Sequence, residues 1–568
     1  MDINKRTILW IVFSVSLFFL WDQWMVSNKH PSFFAPAAQQ AAKAPGATSD
    51  LPAAVGAATG AAALPGALAP AAAAKGERIS VTTDVVKADI DTLGGQLVRL
   101  ELLQFKDGID QKKNQVLFDV NAGAGKTYLA QTGLVGATAG SFPTHQTVFA
   151  AQPGARALDG GNQVQLVLEA VEGGVKLTKT FTFKRGDYVI DVRHDVSNVG
   201  AAPVKPELYM QLVHDGHKPA GDSYFNSSYT GPTLYTAADK YKKLTFEKIE
   251  KEDAEQLAKP DRKVVPDHPT HADNGWVAIS QHFFVSALVP QDKVARDIFT
   301  KKVGNNTYAV GVVMPLGTLA PGATITNSAK LYSGPQQAKL LEPVAEGLDL
   351  VKDYGMLTII AKPIFWVMEQ IHKVLGNWGW TIIAFTVLIK LLFFPLSAAG
   401  YRSMAKMKVV TPKMQAIRER HKGDPAKMNQ ATMELYKTEK INPLGGCLPI
   451  LVQMPVFLAL YWVLQASVEI RGAPWIGWIT NLADPDPWFI LPVLYAISMY
   501  ITTKLNPAPA DPMQAKMMLF MPLAFSVMFF FFPSGLVLYW VVNNVLSIGQ
   551  QWVITKKYAP STPISLLK

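Results

Sequence analysis

Three things are scarce in this chain of 568 residues: cysteine, charge, and acidic side chains within its apolar stretches. The one cysteine, Cys447, excludes an internal disulfide framework and leaves too few thiols for a zinc site. Charged residues make up 17% of the chain against 49% hydrophobic residues, and the mean hydropathy is +0.13. This balance is too apolar for a soluble enzyme of this length and indicates membrane segments.

The net charge of +10 does not predict a nucleic-acid partner. Recognition of nucleic acid needs basic residues clustered on a soluble face with stacking aromatics, whereas here the basic residues lie between apolar runs. We therefore expect no direct nucleic-acid recognition.

Six apolar runs predict six membrane spans. The first, 8–21, follows Lys5 and Arg6 and ends at Trp21, with Trp24 just beyond it. These flanks are typical of an uncleaved anchor, although the short length of the run also fits a signal peptide. Several runs are shorter than the roughly 20 residues that cross a hydrocarbon core, so we expect local thinning of the bilayer. The other five runs are 380–396, 448–464, 488–501, 517–532 and 536–553.

Loop charge sets the predicted orientation. The segment 399–442 carries ten basic residues, whereas 469–487 carries only Arg471, so the basic segment should be cytoplasmic. Both termini are then inside and residues 77–345 outside. The predicted organisation is an anchor (1–30), an Ala/Pro-rich flexible linker (31–76), an exported β-domain (77–345), an interfacial helix (346–376), a membrane core (377–557) and a cytoplasmic tail (558–568).

Period-two alternation predicts a large β-sandwich over 77–345. The runs 180–184 and 188–193 alternate apolar and polar residues, as half-buried antiparallel strands do. Further predicted strands are 164–169, 276–289 and 308–314. The following run, 357–375, mixes helical apolar spacing with charge and predicts a helix on the membrane surface, or alternatively a linker helix packed on the sandwich.

The basic segment 399–442 predicts a helical hairpin. Apolar residues recur at helical spacing on both sides of Gly423-Asp424-Pro425, which indicates two helices joined by a turn. Its charges are either a partner surface or only a solvated face that carries the positive-inside signal. The candidate residues are Arg402, Lys406, Lys408, Lys413, Arg418, Arg420 and Lys422.

Two motifs of the exported domain carry little chemistry. Gly125-Lys126-Thr127 resembles the end of a phosphate loop, but Val120 stands where the pattern needs glycine, so we predict a turn. His268 and His271 have metal-like spacing, yet a proline-containing loop does not fix both imidazoles on one face. We expect no metal site there.

Lys390 is the most informative residue, because it lies inside the run 380–396 and no acidic residue lies in the later apolar runs. A charge in a membrane helix is costly, and it either faces a bundle interior or a wet cavity, or snorkels to the interface. Polar or amphipathic faces on neighbouring spans favour a hydrated groove open to the cytoplasm, although such faces also serve as interhelical glue. These faces comprise Thr386 on the Lys390 helix, then Gln453, Phe457, Tyr461 and Gln465, and Tyr539, Asn543, Ser547 and Gln551.

Several motifs of the C-terminal part resemble the YidC family of membrane protein insertases of Gram-negative bacteria, which belongs to the wider YidC/Oxa/Alb group. The order and spacing hold from about 334 to 557, and Gly275-Trp276-Val277-Ala278 is the clearest match in the exported domain. The motifs are Gly376 to Trp380, Tyr401 to Met407, Asn442 to Cys447, Gln453 to Leu460, Asp511 to Gln514 and Phe532 to Trp540.

The resemblance implies a non-enzymatic insertase of the bacterial inner membrane that needs no cofactor, with five C-terminal spans and a periplasmic β-sandwich of the supersandwich type. It implies that nascent membrane proteins are inserted into the lipid bilayer, alone or beside the Sec translocon and its accessory subunits, and that the hairpin meets the ribosome or targeting machinery. The family's groove cation, usually arginine, falls on Lys390, its groove threonine on Thr386, and an aromatic position often held by tyrosine on Trp540. The predicted groove residues are Thr386, Lys390, Gln453, Met454, Phe457, Tyr461, Tyr539, Trp540, Asn543 and Ser547.

Two other classes stay open on the sequence. A secondary transporter would show inverted repeats and ion-coupling carboxylates in broken helices, and neither is visible. A membrane-tethered periplasmic enzyme or carbohydrate-binding protein would place its function in the β-domain.

Overall fold

A computed structural model describes residues 76–558 of the chain, except 109, 122–124, 137–141, 218–228, 260, 262–263, 422, 440–447, 507–515, 518–519, 521–523 and 525. The predicted anchor 1–30, the predicted linker up to residue 75, the motif Asp511 to Gln514, Cys447 and the tail after residue 558 lie outside the described residues.

Two antiparallel sheets form a β-sandwich, and their facing side chains share one apolar core. The ten-stranded sheet runs β1-β2-β3-β6-β11-β18-β17-β14, with β4 added to β3 and β5 to β6. Its strands are β1 (Arg78–Thr82), β2 (Val86–Asp91), β3 (Gln96–Lys106), β4 (Asn114–Val116), β5 (Asp119–Asn121), β6 (Lys126–Val135), β11 (Glu207–Asp215), β14 (His271–Ala272), β17 (Arg296–Gly304) and β18 (Thr307–Pro315).

The nine-stranded sheet runs β13-β12-β15-β16-β19-β10-β9-β8-β7. Its strands are β7 (Ala150–Ala151), β8 (Gln163–Glu172), β9 (Val175–Lys184), β10 (Val189–Asn198), β12 (Gly231–Thr236), β13 (Lys240–Lys243), β15 (Trp276–Ser280), β16 (Phe284–Pro290) and β19 (Thr324–Pro335). The predicted β-sandwich is thus confirmed as the fold of this part of the chain.

Strand β9 shows how the sequence pattern produces the sheet. Its alternate residues from Val175 to Phe183 point into the core, and the residues between them are only half-buried. Gly173 and Gly174 adopt positive φ and join β8 to β9 in a two-residue turn. One inward position breaks the apolar pattern, because Lys179 is fully buried there.

The predicted strand 276–289 is wrong in one respect, since it is a hairpin of β15 and β16. The Gln281 N–H donates to the Phe284 carbonyl at 2.8 Å and reverses the chain. Both strands are buried on both faces, so a continuous apolar run conceals the turn. A helix that the alternation did not predict, α1 (Phe246–Ala258), packs on β17 and is capped by Thr245.

The remaining helices follow the sandwich. They are α2 (Ala338–Leu341), α3 (Thr358–Leu375), α4 (Trp378–Leu392), α5 (Phe394–Arg420), α6 (Pro425–Thr438), α7 (Leu448–Ala466), α8 (Ile490–Leu505) and α9 (Ser534–Tyr558), with short 3-10 helices at Leu348–Val351, Gly355–Leu357 and Val527–Phe530. Helices α3, α4, α7, α8 and α9 pack on a second apolar core.

The predicted span 380–396 is divided between two helices. Helix α4 ends at Leu392 and α5 begins at Phe394, with a bend of 67° between them. Pro395 explains the break, because it lacks the backbone N–H that would bond the Leu391 carbonyl of α4 but is tolerated in the first turn of a new helix. Among the described residues this bent pair, up to Met407, has the length and hydropathy of a span, and no unbroken helix does. The structure therefore does not confirm the predicted count of six spans.

Candidate functional site

Lys390 lies in the last turn of α4 and reaches across to α9. Its ammonium donates to the Ser547 hydroxyl at 2.7 Å, and that hydroxyl donates to the Asn543 carbonyl one turn earlier at 2.7 Å. The lysine is only 6% exposed. Within the described ranges no carboxylate forms an ion pair with Lys390, so a hydroxyl group and not a counterion faces the charge.

Helix α4 is held in place at its other end. The Asn377 side chain accepts from the Trp380 N–H at 3.1 Å and donates to the Pro474 carbonyl at 3.1 Å. The first contact caps the helix and the second ties that cap to the segment between α7 and α8. The cap fixes the start of the helix whose last turn carries Lys390.

The two predicted polar faces meet each other. The Gln453 amide on α7 hydrogen-bonds the Asn543 amide oxygen and lies 3.3 Å from the Tyr539 hydroxyl, both on α9. Tyr539 and Asn543 are buried. This contact is interhelical hydrogen bonding of the kind that the sequence left open as an alternative. Farther along α9, the Gln551 amide donates to Asn506 at 3.1 Å.

The Thr386 hydroxyl bonds its own helix and not a neighbouring one. Its Oγ1 donates to the Ile382 carbonyl of its own helix at 2.6 Å, and the residue is buried. This internal bond satisfies the hydroxyl locally. Thr386 and Lys390 share a helix face, but the structure brings only Lys390 to Ser547.

An aromatic cluster adjoins the polar contacts. The rings of Phe457 and Trp540 lie 4.8 Å apart, and Trp540 also meets Tyr495 and Phe529, each at 6.0 Å between centroids. Tyr495 and Phe529 were not predicted as site residues, and only their aromatic character in an apolar run could have suggested them. Tyr461 stacks edge-on against Phe532, while Met454 is 43% exposed on the outside of α7.

The basic hairpin is formed by α5 and α6. Asp424 caps α6 by accepting from the Lys427 N–H at 3.1 Å, and Pro425 occupies the first turn. Lys413 pairs with Glu439 at 2.6 Å. Of the predicted hairpin residues, Arg402, Lys406, Lys413 and Arg420 are exposed and Arg418 is half-buried, while Lys422 and the side chain of Lys408 lie outside the described residues.

The two weak motifs of the β-domain have structural roles. Gly125 forms a turn before β6, and the Thr127 N–H donates to the Asp215 carboxylate at 2.8 Å. His268 contacts the Pro269 carbonyl and Thr300, whereas His271 pairs with Asp297. Burial lowers the pKa of His268. In the described part of the chain no group of three His, Cys, Asp or Glu residues is arranged to hold a metal ion.

A cleft of about 1550 Å³ separates the sandwich from the helices. Its walls come from β3, β4 and the turn 281–283 on one side, and from α3, the start of α4 and the segment 465–484 on the other. Arg471 lines the cleft and contacts the sandwich: its guanidinium donates to the Gln115 side chain at 2.8 Å and lies over the Phe284 ring. The cleft does not contain Lys390, so the predicted groove and this cleft are separate features.

Comparison with known proteins agrees with the two-part architecture. Residues 78–367 match the family described as the YidC periplasmic domain, and residues 370–561 match the family described as the 60Kd inner membrane protein. The chain is 56% identical to the membrane protein insertase YidC of Janthinobacterium sp. (strain Marseille), over 98% of this chain and 99% of that protein. It is 57% identical to the membrane protein insertase YidC of Herminiimonas arsenicoxydans, with the same coverage.

Among solved structures, the chain is similar to the structure of an active YidC insertase with its first transmembrane domain resolved. The identity is 18% and the TM-score 0.37, covering 83% of this chain and 91% of that one. The resemblance carried by the sequence motifs is confirmed by the relatives that share more than half of their residues with nearly the whole chain, and the chain belongs to the YidC family.

Proposed function

We propose that this chain is a membrane protein insertase, which moves nascent membrane proteins into the bilayer and releases them into lipid. The observation that carries the proposal is Lys390, a buried cation that donates to Ser547 and has no ion-pair partner among the described residues. Full-length relatives named as insertases support the same activity. The proposed activity makes and breaks no covalent bond.

The proposed setting is the inner membrane, with both termini in the cytoplasm and the β-sandwich in the periplasm. The basic residues of 399–442 support this orientation, since short basic loops stay on the cytoplasmic side. The exposed basic residues of the hairpin support a role in meeting the ribosome or targeting machinery. The Sec translocon and its accessory subunits are proposed partners on the family resemblance.

In the proposed mechanism, the polar or acidic exported tail of a substrate approaches Lys390 from the cytoplasmic side. A carboxylate that reaches the ammonium replaces its contact with Ser547 and supplies the counterion that the described residues lack. Lysine attracts such a group as a compact charge, without the bidentate fork that arginine would offer. The groove then favours an acidic tail over a basic one.

Release follows the apolar side of the groove. The substrate's membrane helix leaves along Met454, Phe457 and Trp540, where Met454 is exposed on the outer surface of α7. Transfer of about 20 apolar residues into lipid supplies the free energy for this step. The protein itself needs only to hold the tail while the helix moves.

The test is a charge reversal at position 390. Lys390→Glu in the full chain, reconstituted in liposomes, should lower insertion of a single-span substrate with an acidic tail by about 30-fold, since about 2 kcal/mol of attraction is lost and tenfold corresponds to 1.4 kcal/mol. Lys390→Arg should keep most of the activity, because it retains the charge. The measurement is protease protection of the translocated tail over time.

Lys373→Glu provides the matched control, because Lys373 is exposed in the last turn of α3 and lines the cleft that does not contain Lys390. A substrate with a neutral tail should respond weakly to Lys390→Glu. Equal insertion of the acidic substrate by Lys390→Glu and the native chain would refute the electrostatic role.

A further inference from the structure

The segment between the sandwich and the helices is a short strap, residues 338–357, that contains α2 and two 3-10 helices. It leaves β19 and leads directly into α3. Lys352 lies in this strap and is almost completely buried. A buried lysine in a connecting segment needs a specific partner.

Glu469 is that partner. The Lys352 ammonium lies 3.1 and 3.0 Å from the two carboxylate oxygens, and the two side chains are 2% and 17% exposed. The Phe365 ring of α3 covers the ammonium at 3.9 Å from its centroid. The pair therefore joins the strap to the segment that follows α7, with an aromatic lid from a third element.

The ion pair stands where the two apolar cores meet. On the strap, Val351 packs in the sandwich core and Tyr354 in the helical core. On the segment after α7, Val468 packs in the sandwich core and Ile470 in the helical core. Both segments thus pack in both cores. Lys352 lies between Val351 and Tyr354, and Glu469 lies between Val468 and Ile470.

This arrangement fixes one end of α7. Glu469 follows the last residue of α7 by three positions, and α7 carries the groove residues Gln453, Phe457 and Tyr461. Near the other end of the helix, Gln453 is held by its hydrogen bonds to α9. Loss of the ion pair would weaken the hold on the Ala466 end, so that α7 could shift about the Gln453 bonds and the groove face could move relative to α9.

We infer that Lys352 and Glu469 are positioning residues of the insertase, which hold α7 in register with α9 so that the groove keeps its width. The inference rests on the proposed function, because the groove has no role without it. It does not require the sandwich to act on substrate, since Lys352 lies in the strap and Glu469 in the helical part.

The ion pair suits this role because neither charged side chain is stable in the buried site without the other. Burial lowers the pKa of Lys352 even with Glu469 beside it, so the carboxylate is what keeps the ammonium charged in this place. Removing either partner leaves the other as a buried, unpaired charge, which the surrounding segments can relieve only by moving apart.

The first measurement is insertion by the full chain in liposomes. Lys352→Met and Glu469→Gln should each lower the maximal insertion rate at least tenfold with little change in the substrate concentration at half-maximal rate. The exchange of charges in Lys352→Glu with Glu469→Lys should recover part of that loss. Lys362→Met is the matched control, because Lys362 forms an exposed pair with Asp349 on the same strap and α3, and it should insert normally.

The second measurement separates positioning from a general loss of structure. With Cys447 replaced by serine, spin labels at Leu458 on α7 and Val545 on α9, both exposed, report the separation of the two helices. Lys352→Met should broaden the distance distribution, and Lys362→Met should leave it unchanged. If Lys352→Met does not fold, Glu469→Gln, which leaves the Lys352 ammonium unpaired, takes its place with the same expectation.

The outcomes distinguish this inference from the proposed function. If Lys390→Glu stops insertion but the Lys352 variants keep the native distance distribution, the positioning role is overturned and the insertase function stands. If Lys390→Glu inserts acidic-tailed substrates normally, the proposed function fails first. A native distance distribution with lost insertion also overturns the positioning role.

Discussion

The buried Lys179 makes the stability of the β-sandwich depend on pH in a direction that can be measured. Its ammonium donates to the carbonyls of Gly94 and Thr132, both at 2.6 Å, and lies 4.6 Å from the centre of the Phe149 ring. Burial lowers the pKa of Lys179 from its ordinary 10.5 to about 7. At 1.36 kcal/mol for each pH unit, this change corresponds to about 5 kcal/mol.

The sign follows from counting protons. Below pH 7 the folded and unfolded chains both carry the proton on Lys179, and the folded chain bears the whole cost of the buried charge. Between pH 7 and 10.5 the unfolded chain binds a proton that the folded chain does not, so stability rises with pH. His194 lies opposite Lys179 on the adjacent strand. It is neutral in the folded chain across this window, because burial and the neighbouring lysine lower its pKa to about 3.

Lys179→Met should therefore change the free energy of unfolding with opposite signs at two pH values. At pH 6 it removes a cost of about 5 kcal/mol and leaves two carbonyls without donors, at about 1.5 kcal/mol each, for a net gain of about 2 kcal/mol. At pH 9.5 only about 1.4 kcal/mol of the charge cost is left, so the variant should be less stable by about 1.5 kcal/mol.

The assay is urea unfolding of the full chain in detergent, with a brief deuterium pulse and mass analysis of peptides from β9 and β10. These peptides report the sandwich without interference from the helices. Lys176→Met, half-buried on the outer face of the same strand, is the control and should show no reversal. A Lys179→Met variant whose stability difference has the same sign and size at both pH values would contradict the reasoning.

Two further predictions concern the β-domain. Gly275→Ala should destabilise the sandwich by about 2–4 kcal/mol, because Gly275 has φ +89° and a Cβ there would lie 1.9 Å from the Tyr235 carbonyl oxygen. The same pulse-labelling assay on β12 and β15 peptides measures this loss, and an unchanged urea midpoint would argue against the clash. Deletion of residues 77–330 should leave most insertion activity, because the groove, the strap and Lys352 lie outside the deleted range; protease protection of the acidic-tailed substrate measures it, and complete loss would instead place an essential function in the sandwich.

The sequence predicted the parts of this protein whose signal is periodic. The alternation in 180–184 and 188–193 gave the sandwich, and the four-residue spacing of Asn543 and Ser547 placed both residues on the face of α9 that contacts α7 and α4. Gln453 was predicted on a polar or amphipathic face of its own span, and the structure brings it to Asn543. Periodicity succeeds here because each side chain's direction follows from its position in a regular element.

Three features that the sequence did not predict have no periodic signal. Glu469 stands 117 residues from Lys352, and nothing in the loop composition identifies them as a pair. The Thr386 hydroxyl donates to a carbonyl of its own helix, and the spacing of residues does not determine which acceptor it takes. The turn between β15 and β16 is hidden because both strands are apolar on both faces. Long-range pairing decided the first, a local rotamer the second, and a turn within a continuous apolar run the third.

The bend at Phe393 lets the hairpin swing while Lys390 stays in place. Helix α5 begins four residues after Lys390 and continues for 27 residues to Arg420, a rod of about 40 Å at 1.5 Å per residue. A rotation of ten degrees about Phe393 displaces the far end of such a rod by about 7 Å, while the ammonium beside the pivot hardly moves. Pro412 lies within this helix and removes one backbone hydrogen bond, so we expect the helix to bend most easily there.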